Sequence, residues 1–438
     1  MSAIAGFMHD KGHFVTGSDR AFDENPEHPL LKSFLSKGIK IVPQDGRGIN
    51  GTFNIAVFST AVENNNPEYQ TAKSLGLRIL TRPEYLAELI HKFKTIAVSG
   101  TSGKSTASGM LAFLMQQLGL KPNFIGGGRV KKFMTDVDSG NFKADESDLM
   151  VIEACESDGT IINYLPENSI LLNLELDHHC IEKTSMMFKI FTQNTSGISI
   201  VNADDSNIEK INIKNGITFS IDNPADYRAE NIRYLPFSSS FSVRDTMFFL
   251  SIPGRHNIYN SLSAVAMLSE MGISLSDIAD TLPEFSGIER RFDVHLINEN
   301  YLVIDDYAHN PHKISSLMKT VRNIRNGVCY IFQPHGYAPT RMMKNEYIDA
   351  FVSNLGDSDH LILLPIYYSG GTVEKDISSH DLAQGIKDRG KSAETIVDRE
   401  AVLKRLNEWK NYVVFGARDE SLAGFAKKIA ALLAGASD

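Results

Sequence analysis

Lys104 and Ser105 stand inside a run of small residues, Gly100-Thr101-Ser102-Gly103-Lys104-Ser105-Thr106. An apolar, β-branched stretch (Thr95, Ile96, Ala97, Val98) precedes the run, and Met110, Leu111, Phe113, Leu114 and Leu118 follow it at helical spacing. The pattern predicts strand, loop and helix, an order suited to holding phosphate. Gly100 and Gly103 let backbone N–H groups approach an anion, and the helix presents its positive end. Lys104 and Ser105 can reach the terminal phosphates and a magnesium ion. Val98 stands where the usual motif has its first glycine, so this is a shortened variant. An ordinary Gly/Ser turn capping a helix is the plain alternative.

Two further clusters offer hard oxygen and imidazole ligands. Glu153-Ala154-Cys155-Glu156-Ser157-Asp158 follows the apolar run 148–152, and Glu175-Leu176-Asp177-His178-His179 follows the run 170–174. Glu153 and His178 are the candidate magnesium ligands or metal-orienting groups beyond the loop, since carboxylates and substrate phosphates normally complete such a shell. Glu156, Asp158 and His179 are not separable from them by sequence. Taken singly, any of these residues also reads as a solvated loop residue. Arg290-Arg291 would supply guanidinium groups to phosphate oxygens, or else form a surface basic pair. In Asp305-Asp306-Tyr307-Ala308-His309 a carboxylate could accept from ribose hydroxyls, or Asp306 could simply cap a helix. Asn257 could read an adenine edge through its amide, and a buried capping Asn would look the same.

The elements that must carry these residues form an α/β pattern in three segments. Residues 1–92 predict a helix over 2–10, strands at 13–15, 39–42 and 54–58, a helix over 28–37 and parallel pairing. In such folds a helix like 2–10 normally follows a strand and a glycine-rich turn, so the first strand is expected to be missing, through truncation or a start at an internal Met. Residues 93–291 carry the loop, the strands 148–152, 170–174 and 197–201, an alternating stretch 211–252 that reads as short antiparallel strands, and a helix from Asn260 to Met271. Residues 292–438 alternate strands (301–304, 328–332, 360–364, 411–415) with helices, again a parallel pattern. Open α/β sheets place ligand chemistry at the C-terminal ends of their strands, where both acidic clusters fall.

A chain of 438 residues is too long for one core. A formal net charge of −9 argues against a general nucleic-acid binder or a polybasic membrane-surface protein. No apolar run approaches the ~20 residues of a membrane span. Three cysteines without metal-ligand spacing fit a reducing compartment, and the cytoplasm is the expected location.

Together GTSGKST (100–106), EACESD (153–158), LELDHH (174–179), GRHNIYNSLSA (254–264), FSGIERRF (285–292), DDYAHNP (305–311) and FQPHGYAPTR (332–341) resemble the Mur ligases, ATP-dependent amide-forming enzymes of peptidoglycan synthesis. The resemblance spans nearly the whole chain. Within the family, MSAIA, TGSD and VFSTAVENNNPE, with EACESD and FQPH, look most like the branch that adds L-alanine to UDP-N-acetylmuramate, and next the branch that attaches a recycled tripeptide. The resemblance implies three domains: a Rossmann-like UDP-binding domain lacking its first strand, a central P-loop ATPase domain and a C-terminal Rossmann-like domain. It implies ATP and Mg2+ as cofactors, and as partners UDP-N-acetylmuramate and an amino acid or peptide. The implied reaction runs through an acyl phosphate. By motif position Gly100, Thr101, Ser102, Gly103, Lys104, Ser105, Thr106, Asn257, Arg291, Asp306 and His309 face the nucleotide. Ser105, Glu153 and His178 face magnesium; Lys104, Glu153, His178 and Arg291 act on the transferring phosphoryl group. Ser18, Asp19, Ser59, His335 and Arg341 face the other substrates. The chain has Gly336 and Pro339 where the L-alanine branch carries arginines associated with the amino-acid carboxylate, so another amino acid or a peptide stays open as acceptor. A P-loop kinase or plain NTPase, and a non-catalytic nucleotide-binding remnant, are the competing readings.

Overall fold

An apolar run such as 95–98 needs cover on both faces, and the centre of a parallel sheet provides it. The computed structural model describes residues 1–176, 179–368, 374–419 and 421–435. Its contacts divide the chain into two compact units, Met1–Ile288 and Glu289–Asp438.

The first unit opens with the helix Ser2–Asp10, as the sequence predicts, and two small parallel pairs. Strand β1 (Thr16–Gly17) pairs with β2 (Lys40–Ile41), and β3 (Ile55–Phe58) with β4 (Arg78–Thr81). The first strand thus lies at 16–17 rather than 13–15, and Phe14 is fully exposed. Lys37 pairs with Asp10 within this layer (2.9 Å) and ties the layer to the rest of the unit through Asp138 (2.5 Å).

The main sheet of the unit contains β5 (Lys94–Ser99), β6 (Asn123–Ile125), β7 (Phe142–Lys143), β8 (Leu149–Glu153), β9 (Asn168–Leu171), β10 (Ser199–Asn202), β11 (Gly216–Ser220) and β12 (Tyr227–Arg228). Its order is β12-β11-β10-β9-β5-β8-β6-β7, parallel except for the edge strand β7. The expectation of an antiparallel region over 211–252 is therefore half corrected. β11 and β12 extend the parallel sheet, and only β13 (Glu230–Tyr234), β14 (Ser239–Val243) and β15 (Thr246–Leu250) form an antiparallel meander.

Ile96, Ala97 and Val98 are buried between helices, among them Lys104–Gln117, whose Met110, Leu111, Phe113, Leu114 and Met115 are essentially inaccessible. The later helix begins at Arg255, not Asn260, and ends at Glu270. Its apolar stripe starts only at Ile258, which hid a polar first turn containing Asn257.

In the second unit β16 (Asp293–Ile297), β17 (Leu302–Asp306), β18 (Val328–Gln333), β19 (His360–Leu363), β20 (Ala393–Thr395) and β21 (Asn411–Gly416) order as β16-β17-β21-β18-β19-β20. Five are parallel, and β16, which periodicity did not reveal, pairs antiparallel at the edge. Residues alternate between the faces. Phe415 meets both Tyr330 and Phe332, and Phe332 also meets Tyr347 and Phe351, while Cys329, Ile331 and Val414 cluster with Phe425, Ala426 and Ile429.

Candidate phosphate-binding site

The site follows from three neighbouring strands. β5 lies between β8 and β9, with Val98 opposite Glu153 and Ser99 opposite Leu171. The loop after β5, the acidic segment after β8 and the segment after β9 therefore emerge side by side at one sheet edge.

Gly103 has φ +83° and precedes the helix Lys104–Gln117. A Cβ there would sit 2.4 Å from Asn260 Oδ1, so only glycine fits both the backbone and the space. The loop's shape is held by a residue that the sequence did not single out. Asn173 Oδ1 accepts from the Thr101 hydroxyl (2.8 Å) and the Ser102 N–H (2.7 Å), and its Nδ2 donates to the Ser102 carbonyl (3.0 Å). Thr101 N–H donates to Asn173 O at 3.2 Å, and Glu175 N–H to the Thr101 hydroxyl at 3.0 Å. Its only signal in the sequence is an amide inside the apolar run 170–174; β9 stops at Leu171 rather than reaching residue 174.

Lys104 donates to Gly100 O (2.6 Å) and to Glu156 Oε2 (2.9 Å). Burial works against its charge, but Glu156, with Cys155 and Glu153, outweighs it and holds the lysine pKa above its ordinary value. Glu153 turns the other way, accepting from Gly127 N–H at 2.9 Å. A Cβ on Gly127 would lie 2.8 and 2.9 Å from its two oxygens, and one on Gly128 would lie 3.0 Å from Ser105 Cβ. The Gly126–Gly128 turn thus lies against both Ser105 and Glu153. Hard oxygen donors beside a phosphate loop suit Mg2+, which keeps waters and substrate phosphates in its shell rather than needing an all-protein cage. Among the described residues no three His, Cys, Asp or Glu side chains converge as such a cage. His178 lies outside the described residues. Its neighbour His179 contacts Ser157 O at 3.1 Å.

Asn257 is buried, its amide donating to Pro253 O (2.7 Å) and accepting from Asn260 (3.2 Å). In the first layer Ser18 donates to buried Glu68, whose carboxyl burial pushes up. Asp19 accepts from Ala21 N–H (3.0 Å) at a helix start, and Ser59 from Ala61 N–H (3.3 Å).

In the second unit the two arginines differ. Arg290 is buried and internal to the unit: it pairs with Asp305 at 3.3 Å and donates to Ala417 O and Asp419 O at 3.2 and 3.0 Å. Both lie over the Tyr307 ring, 5.2 Å (Arg290) and 5.1 Å (Arg291) from its centroid, but Arg291 is only half-buried. Arg290 and Phe292 adopt φ of +59° and +48°, rare for side-chain-bearing residues. Asp306 braces this turn, accepting from Phe292 N–H and Ala308 N–H, both at 2.7 Å, and burial pushes its carboxyl up. The helix that follows is capped by Asn310 rather than Asp306. Burial drives the Asp305 carboxyl up to about 7 despite Arg290. Burial, reinforced by Lys313, Arg291 and Arg418, pushes His309 down to about 3, and its Nδ1 lies 2.9 Å from Tyr307 O. His335 stacks on Tyr367, and burial, with Arg418, pushes its pKa down. Arg341 is paired with Asp376 and donates to Glu374 O at 3.0 Å.

Comparisons with known proteins cover this whole arrangement. Three family models match in order: the Mur ligase family catalytic domain over residues 1–94, the Mur ligase middle domain over 98–268 and the Mur ligase glutamate ligase domain over 290–433. The UDP-N-acetylmuramate–L-alanine ligase of Caldanaerobacter subterraneus is 31% identical, with 93% of this chain and 89% of that protein covered. That of Aquifex aeolicus is 33% identical over the same shares. The crystal structure of a UDP-N-acetylmuramate–alanine ligase from Thermotoga maritima has the same fold, with TM-score 0.81 at 23% identity, covering 100% of this chain and 97% of that one. With the loop, its flanking carboxylates and full-length similarity in agreement, the chain belongs to the Mur ligase family of ATP-dependent, amide-bond-forming ligases.

Proposed function

We propose that this protein joins L-alanine to the carboxylate of UDP-N-acetylmuramate in peptidoglycan synthesis, with ATP as the energy source. The observation that carries the reading is the braced loop of Lys104 at one sheet edge with Glu153, in a chain at least 31% identical to the two L-alanine ligases over 93% of its length. The carboxylate oxygen attacks the γ-phosphorus and ADP leaves, giving an acyl phosphate. The amine nitrogen then attacks that carbonyl, and phosphate departs from the tetrahedral intermediate as the amide forms and the nitrogen loses its proton.

No covalent nucleophile is needed, so the protein's part is positioning and charge neutralisation. Loop residues Gly100 to Thr106 wrap the phosphates, and Lys104 offsets their charge. Ser105 and Glu153, with His178, would hold Mg2+, which when bound neutralises charge on the transferring group. Asn257 serves the adenine side; Arg291, Asp306 and His309 are the nucleotide-side residues of the second unit. Ser18, Asp19 and Ser59 serve the UDP-sugar, and His335 and Arg341 the acceptor. The three functional parts are residues 1–92, 93–291 and 292–438, and the enzyme works in the cytoplasm; no helix among the described residues is long and apolar enough to cross a membrane.

The test is phosphate release from ATP with Mg2+ and UDP-N-acetylmuramate, adding L-alanine, other amino acids and the tripeptide in turn. Release that depends on L-alanine, and is abolished by chelating the metal, supports the reading. Release without any amine makes the protein an NTPase, and dependence on the tripeptide alone moves it to the recycling reaction. Lys104→Ala should abolish turnover while the circular dichroism spectrum stays unchanged; retained turnover would refute the loop's assignment.

A further inference from the structure

Around the carboxyl edge of the second unit's sheet, three arginines each have an acid of their own. Arg290 pairs with Asp305, Arg341 with Asp376 (2.8 Å) and Arg399 with Asp419 (2.5 Å). Arg418 differs: it is exposed, and its guanidinium has no acid, carbonyl or ring partner among the described residues. It stands two residues beyond β21, the strand that lies between β17 and β18. The backbone beneath it is fixed on both sides. Gly416 has φ +122°, and a Cβ there would lie 2.2 Å from Gln333 O, so the ends of β18 and β21 approach as only glycine allows. Ala417 N–H donates to Gln333 O at 2.9 Å, and buried Arg290 donates to Ala417 O and Asp419 O, the carbonyls flanking Arg418. Arg418 N–H itself donates to His335 Nδ1 at 3.4 Å, and the other side of this pairing is closed by Tyr367 stacked on the imidazole. Arg418 is the one charge that acts on His335, whereas His309 also has Lys313 and Arg291 beside it. A pinned backbone under an unpaired guanidinium, at the middle of a parallel sheet's carboxyl edge, is a place built for an anion.

We propose that Arg418 binds the α-carboxylate of the incoming amino acid, and so sets the preference for an acceptor that carries a carboxylate beside its amine. This rests on the reading of the His335 side as the acceptor side of an amino-acid ligase. The segment after β18 cannot supply the charge: Gly336 and Pro339 are neutral, and the guanidinium of Arg341 is taken by Asp376. The planar fork of Arg418 matches a carboxylate through two parallel N–H···O bonds. The acceptor's nitrogen is one carbon away from that carboxylate, so holding one end fixes where the nucleophile lies.

The experiment compares L-alanine with L-alaninamide, which keeps the amine and the methyl group but lacks the carboxylate, in phosphate release by the wild type, Arg418→Ala and Arg418→Lys. Comparing the ratio of the two acceptors between enzymes cancels the intrinsic difference between the amines. Losing a charged hydrogen-bond partner costs about 10- to 100-fold in binding. Arg418→Ala should therefore lower kcat/KM for L-alanine by that factor, chiefly through KM, while kcat/KM for L-alaninamide and the KM values for MgATP and UDP-N-acetylmuramate stay within about threefold of wild type. If the amide is too slow to measure in wild type, the split between KM for L-alanine and the other two KM values decides. Arg418→Lys keeps the charge but not the fork and should fall between, and it decides alone if the Ala variant fails to fold: an unchanged KM for L-alanine overturns the proposal. An unchanged preference in Arg418→Ala, equal losses with both acceptors, or a loss in KM for MgATP or UDP-N-acetylmuramate instead also overturns it. Wild-type release that depends on L-alanine, with preference unchanged in Arg418→Ala, sinks the proposal alone. Release that depends on another amino acid corrects the L-alanine reading, and that amino acid and its own amide then carry the same comparison. Release with the tripeptide only, whose amine-bearing residue has no free α-carboxylate, or with no amine at all, sinks both.

Discussion

Replacing Asn173 with Ala removes the brace of the phosphate loop without replacing any residue placed on the phosphates. Three side-chain hydrogen bonds are lost, from the Thr101 hydroxyl, from the Ser102 N–H and to the Ser102 carbonyl, at 2.8, 2.7 and 3.0 Å. Each contributes about 0.5–1.5 kcal/mol net, for a total of about 3 kcal/mol. Ser102 is half-buried, so water can recover part of this and the working range becomes about 2–3 kcal/mol. If the loop must adopt this shape before nucleotide binds, the loss appears as a fall of roughly 30- to 150-fold in kcat/KM for MgATP. Initial-rate phosphate release against MgATP measures it, with a thermal melt to show that the sheet is intact. Asn173→Asp keeps the acceptor but turns the donor to the Ser102 carbonyl into a second acceptor and adds negative charge beside the phosphates. It should do at least as badly as Ala. A kcat/KM within threefold of wild type in Asn173→Ala, at unchanged melting temperature, would refute the idea that this side chain shapes the loop.

Other consequences follow from the same geometry. Gly103→Ala forces a side chain into φ +83° and within 2.4 Å of Asn260 Oδ1; the backbone term alone costs about 1–2 kcal/mol, to be read as a lowered melting temperature together with weakened nucleotide binding. Gly127→Ala brings a methyl group 2.8–2.9 Å from both Glu153 oxygens, so the carboxylate must move, and the Mg2+ concentration for half-maximal rate should rise with little change in stability. His309 is held neutral in the fold, with its pKa pushed down to about 3 from 6.5. Between those values the unfolded chain binds the extra proton, so this residue's contribution to stability is present above pH 6.5 and is lost as the pH falls toward 3. At pH 5 the loss is roughly 2 kcal/mol, and His309→Gln should flatten the pH 5–7 dependence of urea unfolding relative to wild type by about that amount.

What could be read from the sequence was what is local. The strand, the glycine-containing turn and the helix around Lys104 are contiguous, so periodicity and residue type were sufficient, and helix Pro29–Lys37 and strand β3 were legible for the same reason. The polar first turn at 255–257 was not, because Arg255 and His256 face solvent and Asn257, though buried, is satisfied by hydrogen bonds rather than by apolar contact. Nor was the parallel placement of β11 and β12, since alternation reports burial on one face and not the partner strand. The site's supporting residues depend on register between strands far apart in the chain. Asn173 meets Ser102 because Ser99 pairs with Leu171, and Glu156 meets Lys104 because Val98 pairs with Glu153. A one-residue slip in either pairing would put a different side chain against the loop. The order of letters in EACESD offers no way to tell which glutamate faces the lysine and which the glycine turn. The same holds for Arg290 and Arg291: adjacent and alike in sequence, both lie over the Tyr307 ring, but with a left-handed backbone at Arg290 and Phe292 only Arg290 is buried against Asp305. The division of labour within each pair is thus set by backbone conformation and strand register. Substitutions should follow that division: loss of Arg290 should first lower the melting temperature of the second unit, and loss of Arg291 should first lower turnover.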